Sequence, residues 1–310
     1  MLLSILTNLI SIYSLISLPL VASQTIDVSR FADEGKVKLI KIFYQQDAPY
    51  RVNNQSLGVE ITAQSALIID KKTGVILWQK NPEEVRSIAS ITKLMTALVF
   101  LDHNPGWQTE VIIQTSDYRE GGRIRVYQGE RLYVKDLFNA SLVASANNAT
   151  MSLVRSTGLS EEEFVKAMNQ KALDLGMTQS NYIEPTGLDP QNVSTAFDIN
   201  KLAQAAFSHS EIVQATIQSE YQFEVLNTSR TEILKNTDKL LESYLNVQAG
   251  KTGYLDEAGY CLASQIRGPE GQEVRIVVLG SESEASRFQE TKALAQWVFG
   301  NFRWEVGLGN

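Results

Sequence analysis

The order of elements along this chain of 310 residues predicts an α/β fold in which a strand-rich layer is interrupted by a helical subdomain. Three observations carry the prediction. Strand-forming runs lie near residues 58–79 and return near residues 260–279. The stretch between them is dominated by capped segments of helical period. One more helical segment follows the last strand.

Gly58 to Asp70 is rich in Val, Ile and Thr, and Val75 to Gln79 follows after Lys71-Lys72-Thr73-Gly74, which reads as a hairpin. Ser90 to Asp102 is almost continuously apolar apart from Thr92, Lys93 and Thr96. It is too long for a typical strand and reads as a buried helix. Val111 to Val126 is polar and glycine-containing, hence irregular with short strands. Leu132 to Val143 places Val134, Leu137, Phe138 and Leu142 at helical spacing. Ser160-Glu161-Glu162-Glu163 is a capping-box pattern. The helix after it carries Phe164, Met168 and Leu175, with Gly176 as its stop. Thr195 caps another helix, ahead of Leu202 and Phe207. Tyr221 to Leu226 reads as a strand. Tyr260–Ile266 and Val274–Leu279 are strands around Gly268-Pro269-Glu270-Gly271, and Glu284 to Phe299 is a helix stopped at Gly300.

Composition narrows the function. Hydrophobic residues make up 44% and charged residues 20%, as in ordinary globular chains. The net charge is -7 and no Lys/Arg cluster occurs, which argues against nucleic acid as a partner. A single cysteine, Cys261, excludes an intramolecular disulfide. Two histidines, His103 and His209, exclude a His-rich metal cage, and both sit at predicted helix ends. No metal or other cofactor is expected. Residues 1–23 contain no charged side chain and end in Val21-Ala22-Ser23. This reads as a secretory signal cleaved before Gln24, or as a retained N-terminal membrane anchor. Either reading places the protein on the periplasmic or extracellular face of the cell envelope. Residues 24–57 form a leader segment, either a linker or an added edge strand.

Three short motifs carry the chemistry. The first is Ser90-Ile91-Thr92-Lys93. Residues three apart on a helix share a face. A serine hydroxyl is a poor nucleophile until a base takes its proton. Lysine serves as that base only when neutral, and at its reference pKa only about one part in 2,500 is neutral at pH 7. Desolvation or a neighbouring cation must therefore favour the amine, and the apolar neighbours Leu94 and Met95 suggest desolvation. The second is Ser145-Ala146-Asn147, a hydroxyl and an amide two apart in a turn. The third is Lys251-Thr252-Gly253, a cation, a hydroxyl and an unhindered backbone at the edge of a strand. Gly250-Lys251-Thr252 is half of a phosphate-binding loop, but Leu245 stands where its first glycine belongs. Each motif alone is weak. In this order they form the pattern of the penicillin-binding and serine β-lactamase superfamily.

Residues 58–300 resemble the low-molecular-mass D-alanyl-D-alanine carboxypeptidases. The text around Arg86–Ala97, Ser145–Ala149 and Gly250–Tyr260 is close to that family, as are Met168-Asn169, Leu175-Gly176-Met177, Pro185-Thr186-Gly187-Leu188-Asp189 and Ser194-Thr195. The resemblance implies an antiparallel β-sheet flanked by helices with an inserted all-helical subdomain, over a catalytic domain at 58–310. It implies that Ser90 attacks the penultimate D-Ala carbonyl of a peptidoglycan stem peptide and that Lys93 is the general base. Ser145 would relay a proton to the leaving D-Ala, Lys251 would add positive charge, and Asn147 would hold the substrate backbone. Backbone N–H groups of Ser90 and Tyr254 would form the oxyanion hole. Thr252, Gly253 and Arg287 complete the substrate-binding set, with Arg287 as carboxylate clamp. β-Lactams would be covalent inhibitors. The family usually has aspartate where Asn148 stands. The chain ends at Asn310 without a further domain, so any anchor is expected at the N-terminus.

The alternatives differ in class. A D,D-endopeptidase cutting cross-links uses the same motifs. A catalytically silent penicillin-binding wall module would lack acylation. A class A β-lactamase would carry Ser-Asp-Asn and a suitably spaced glutamate, which this chain does not.

Overall fold

The computed structural model of the protein describes residues 48–52, 55–121 and 124–304. In chain order, strand β1 (Tyr50–Arg51) precedes β2 (Ser65–Asp70) and β3 (Ile76–Lys80). Strand β4 (Arg86–Ser87) leads through a 3-10 turn at Ala89–Ile91 into helix α1 (Thr92–Asp102). Then come β5 (Glu110–Ile112), β6 (Arg131–Tyr133), α2 (Val134–Val143), α3 (Asn147–Ser156) and α4 (Glu161–Asp174). Strand β7 (Val193–Ser194), α5 (Ala196–Ala206), α6 (Ser210–Ile217), β8 (Glu220–Glu224) and β9 (Thr231–Lys235) complete the insertion. Strands β10 (Asn246–Leu255), β11 (Gly259–Arg267) and β12 (Glu273–Ser281) return to the sheet, followed by α7 (Glu284–Asn301) and β13 (Phe302–Arg303).

The central sheet is antiparallel throughout, in the order β10-β11-β12-β2-β3. Its two halves come from opposite ends of the chain, and β12 meets β2 with Val274 opposite Asp70 and Leu279 opposite Ser65. The layer is thus discontinuous, as the element order predicts. Strand pleating sends alternate side chains to opposite faces. Ala66, Ile68, Val274, Ile276 and Val278 pack with Leu294, Ala295 and Val298 of α7. Leu67, Ile69, Val277 and Leu279 join the larger core that contains α1. Both faces are covered, which is why β2 is buried along its whole length.

Helix α1 is buried almost all round, from Thr92 to Phe100. That explains its lack of a polar stripe. Each fully buried apolar side chain contributes about 1.5–3 kcal/mol. Leu94, Met95, Val99 and Phe100 therefore fix the helix that carries the first motif. The capping box is formed: Ser160 Oγ accepts from Glu163 N at 3.2 Å, and Glu163 Oε2 accepts from Ser160 N at 2.8 Å. Thr195 Oγ1 accepts from Asp198 N at 3.1 Å.

Some boundaries differ from the sequence reading. Gly58 to Gln64 is not strand, and the first strand of the hairpin begins at Ser65. Gly300 does not stop the last helix, which runs to Asn301. The insertion is helical at its core but also carries the ribbons β4·β7, β5·β6 and β8·β9. Within the leader segment, Tyr50 and Arg51 pair with Arg303 and Phe302. The targeting segment, residues 1–23, lies outside the described residues. Among the described residues no helix is long and apolar enough to cross a membrane.

Candidate active site

Two buried lysines organise the site, and each gathers a different pair of motifs. Ser90 lies in the 3-10 turn ahead of α1. Ala89 before it adopts φ +46°, a left-handed conformation that costs about 1–2 kcal/mol for a residue with a Cβ. Such strain persists only where the surroundings over-determine it, commonly at functional sites. Lys93 Nζ donates to Ser90 Oγ at 3.0 Å. It also donates to Asn147 Oδ1 and to the Thr186 carbonyl, both at 2.5 Å. The Lys93 side chain is wholly buried.

The second motif bridges the two lysines. Ser145 sits between α2 and α3 with φ +56°. Its Oγ accepts from Lys251 Nζ at 3.0 Å, while Asn147, two residues on, accepts from Lys93. Asn147 is the first residue of α3, held in place as the Ala146 N–H bonds the Ala140 carbonyl at 3.1 Å. Lys251 also donates to the Thr252 carbonyl at 3.0 Å and is 1% exposed. One turn thus delivers a hydroxyl to one cation and an amide to the other.

The third motif lies on β10, which packs against the nucleophile turn. A Cβ on Gly253 would stand 2.8 Å from the Ile88 carbonyl oxygen and 3.2 Å from the Ile91 nitrogen. Glycine is required there for the strand to approach. Thr252 is buried, and its Oγ1 shares a hydrogen bond with Thr237 Oγ1 at 2.6 Å. Tyr254 is half exposed and stacks on Tyr260 with ring centroids 4.2 Å apart. Its hydroxyl donates to Asp256 Oδ1 at 2.5 Å, and that acceptor holds the phenol pKa up at about 12.

Arg287 stands at the first turn of α7, behind the strand. Its Nη1 donates to the Gly253 carbonyl at 2.9 Å, and the residue is 4% exposed. Its guanidinium lies over Phe288 and Tyr260, 4.6 and 5.4 Å from their centroids. Burial pushes its pKa down from the ordinary guanidinium value. The residue expected from sequence to clamp a carboxylate thus bonds the motif's own backbone.

Several contributors had no signature in the sequence reading. The Thr186 carbonyl on Lys93 is a backbone atom, and only the Pro185-Thr186-Gly187 text marks its position. Glu184 shapes that loop by accepting the N–H groups of Thr186, Gly187 and Leu188. Gly187 has φ +82°, and a Cβ there would overlap the Ala89 carbonyl beside Ser90 N. Gly187→Ala is therefore expected to cost about 2–4 kcal/mol, from left-handed strain plus overpacking. Thermal melting should show a fall of roughly 5–15 °C, with loss of activity because Ser90 and Thr186 shift together.

Asn148, where the family usually has aspartate, donates Nδ2 to the Val126 carbonyl at 2.5 Å. An ionised aspartate could not donate this bond. Cys261 is buried in β11, and burial pushes its thiol pKa up to about 11, so it is a core residue. His103 follows the end of α1, and His209 precedes α6.

Comparisons with known proteins agree with this geometry. A family profile described as D-alanyl-D-alanine carboxypeptidase matches residues 50–283. A Pseudomonas aeruginosa D-alanyl-D-alanine endopeptidase is 36% identical over 248 residues, covering 78% of this chain and 79% of the relative. A Bacillus subtilis D-alanyl-D-alanine carboxypeptidase is 32% identical, covering 75% of this chain and 61% of the relative. Among solved structures, the Streptomyces K15 DD-transpeptidase superposes with a TM-score of 0.74 at 26% identity, covering 79% of this chain and 100% of that one. The profile spans all three motifs, and the sheet and helical insertion are those of penicillin-binding proteins. The chain belongs to the D-alanyl-D-alanine carboxypeptidase family of serine D,D-peptidases.

Proposed function

We propose that the chain is a serine D,D-endopeptidase that opens peptidoglycan cross-links through an acyl-enzyme on Ser90. The observation that carries the reaction class is the Lys93–Ser90 contact, completed by Lys251 on Ser145. Neutral Lys93 takes the Ser90 proton as Oγ bonds to the D-Ala carbonyl carbon. Backbone N–H groups of Ser90 and Tyr254 receive the oxyanion. The C–N bond then breaks as Ser145 passes its proton to the leaving nitrogen and takes up the one held by Lys93, which returns to the neutral amine. Water attacks the ester, Lys93 accepts its proton, and Ser90 leaves as the free hydroxyl. Asn147, Thr252 and Gly253 hold the extended substrate, and Arg287 supports the strand from behind.

The sequence alone put carboxypeptidase activity first. The endopeptidase relative matches over nearly the same share of both chains, whereas the carboxypeptidase relative is matched over only 61% of its length. This supports cross-link cleavage as the leading reading and terminal D-Ala removal as the second. The substrate and the uncharged N-terminal segment both favour export to the outer face of the envelope. β-Lactams, as acylating amides, are the expected covalent inhibitors.

Digestion of purified muropeptides tests the proposal. Conversion of a D,D-cross-linked dimer to monomers, read by mass, is the expected result. Release of D-alanine from pentapeptide monomers without dimer cleavage would restore the carboxypeptidase reading. Neither product, from a folded protein that takes no penicillin adduct, would indicate a silent wall-binding module.

A further inference from the structure

A carboxylate lies buried behind the third motif, and the mechanism above does not use it. Asp238 is 2% exposed. Its Oδ1 caps the following turn by accepting from Leu240 N at 2.9 Å. Its Oδ2 has no hydrogen-bond partner among the described residues, and neither does Ser264 Oγ on β11. Both atoms flank Gly250, the residue before Lys251. A Cβ on Gly250 would collide with Asp238 Oδ2 and stand 3.3 Å from Ser264 Oγ. The strand thus forgoes a side chain where this carboxylate sits. A buried, half-satisfied carboxylate is costly, and native structures keep such groups for a reason.

Its surroundings indicate that reason. Lys251 of β10 and Arg287 of α7, both buried cations, act electrostatically on Asp238, and Arg287 also lies 3.7 Å from Glu284. Lys239, its neighbour in sequence, points outward to Glu284 at 3.0 Å. Thr237, on the other side, joins its hydroxyl to that of Thr252 and its N–H to the Val143 carbonyl at the end of α2. The segment therefore touches the third motif and the helix that leads into the second.

We infer that Asp238 is a positioning residue of the Lys251–Thr252 edge: its carboxylate balances the two buried cations, and Thr237 carries its placement to the Thr252 hydroxyl. The inference rests on the reading of Lys251 as part of the acyl-transfer machinery. Desolvation raises the Asp238 pKa, while Arg287 and Lys251 oppose that rise. By reciprocity, an ionised Asp238 favours the cationic form of Lys251.

Asp238→Asn is the discriminating variant, because asparagine keeps the shape and the acceptor for Leu240. Folding should survive. A carboxyl whose folded-state pKa is raised above its unfolded value loses stability as pH rises through the window between the two. The melting temperature of Asp238→Asn should therefore match the wild type below the ordinary carboxylate pKa. It should rise above the wild type as pH passes that value and approaches the raised one. Activity should respond differently. The alkaline limb of kcat/KM against pH should move to lower pH by about half a unit or more, since Lys251 loses an anionic neighbour. Thr237→Val should lower kcat/KM several-fold, and Thr237→Ser should restore it.

Penicillin acylation of Ser90, read by intact mass, accompanies the profiles. An adduct on wild type with superimposable pH profiles for Asp238→Asn would overturn the inference alone and leave Asp238 a turn cap. No adduct on folded wild type would overturn the reading of the site, and this inference with it.

Discussion

Ser90→Ala is expected to abolish penicillin adduct formation and to lower muropeptide cleavage by at least about a thousandfold, since removing the nucleophile of an acyl-transfer unit costs nearly its whole catalytic effect. The fold should not change. The Ser90 hydroxyl accepts from Lys93, and Lys93 keeps Asn147 Oδ1 and the Thr186 carbonyl when that bond is lost. The strained turn is fixed by backbone packing of Gly187 and Gly253 against it, which alanine at position 90 leaves in place. Intact mass after penicillin treatment, product analysis and a melting curve together check the prediction. An adduct or sustained turnover in the alanine variant, with the melting curve unmoved, would place the nucleophile elsewhere.

What the sequence revealed and what it hid follow from the range of the interactions. Strands β11 and β12 were legible because both faces of the sheet are covered, leaving apolar runs broken by Gly268-Pro269. Helix α4 was legible because its cap is local, Ser160 to Glu163. Helix α3 was not. It carries Asn147, Asn148, Thr150 and Ser152, a poor helical pattern, yet all four are buried. Their partners are distant: Ser152 Oγ donates to Asp117 Oδ2 at 2.7 Å, and Thr150 Oγ1 lies 2.8 Å from Ser141 Oγ. Tertiary bonding overrides propensity there. Helix α6 and strand β9 were also missed; α6 is short, and β9 alternates around one buried leucine, Leu234. In the site, side-chain motifs could be read directly. The Thr186 carbonyl could not, because a backbone acceptor leaves no residue type of its own, and Gly187 permits its positive φ without dictating it. The placement of Arg287 shows the same limit from the other side. Its position matched the resemblance, but the direction of its guanidinium, into the Gly253 carbonyl, is a packing outcome.

Lys93→Met is expected to match Ser90→Ala in activity while leaving the nucleophile in place. Methionine fills nearly the same volume, so the buried surroundings of residue 93 stay packed. What is lost is the group that takes the Ser90 proton. Nζ donates to two fixed acceptors, Asn147 Oδ1 and the Thr186 carbonyl. Nζ also points toward Ser90 Oγ. In the neutral amine those two acceptors hold the two hydrogens and leave the lone pair for the serine, which is the geometry a general base needs. Removal of the base should slow penicillin acylation and peptide cleavage together, each by about a hundredfold to ten-thousandfold. Stability should fall as well, because two buried acceptors lose their donor, at about 1–3 kcal/mol for each. A Ser90 adduct forming at the wild-type rate in Lys93→Met would show that another group takes the proton, and Lys251 acting through Ser145 would be the next to test.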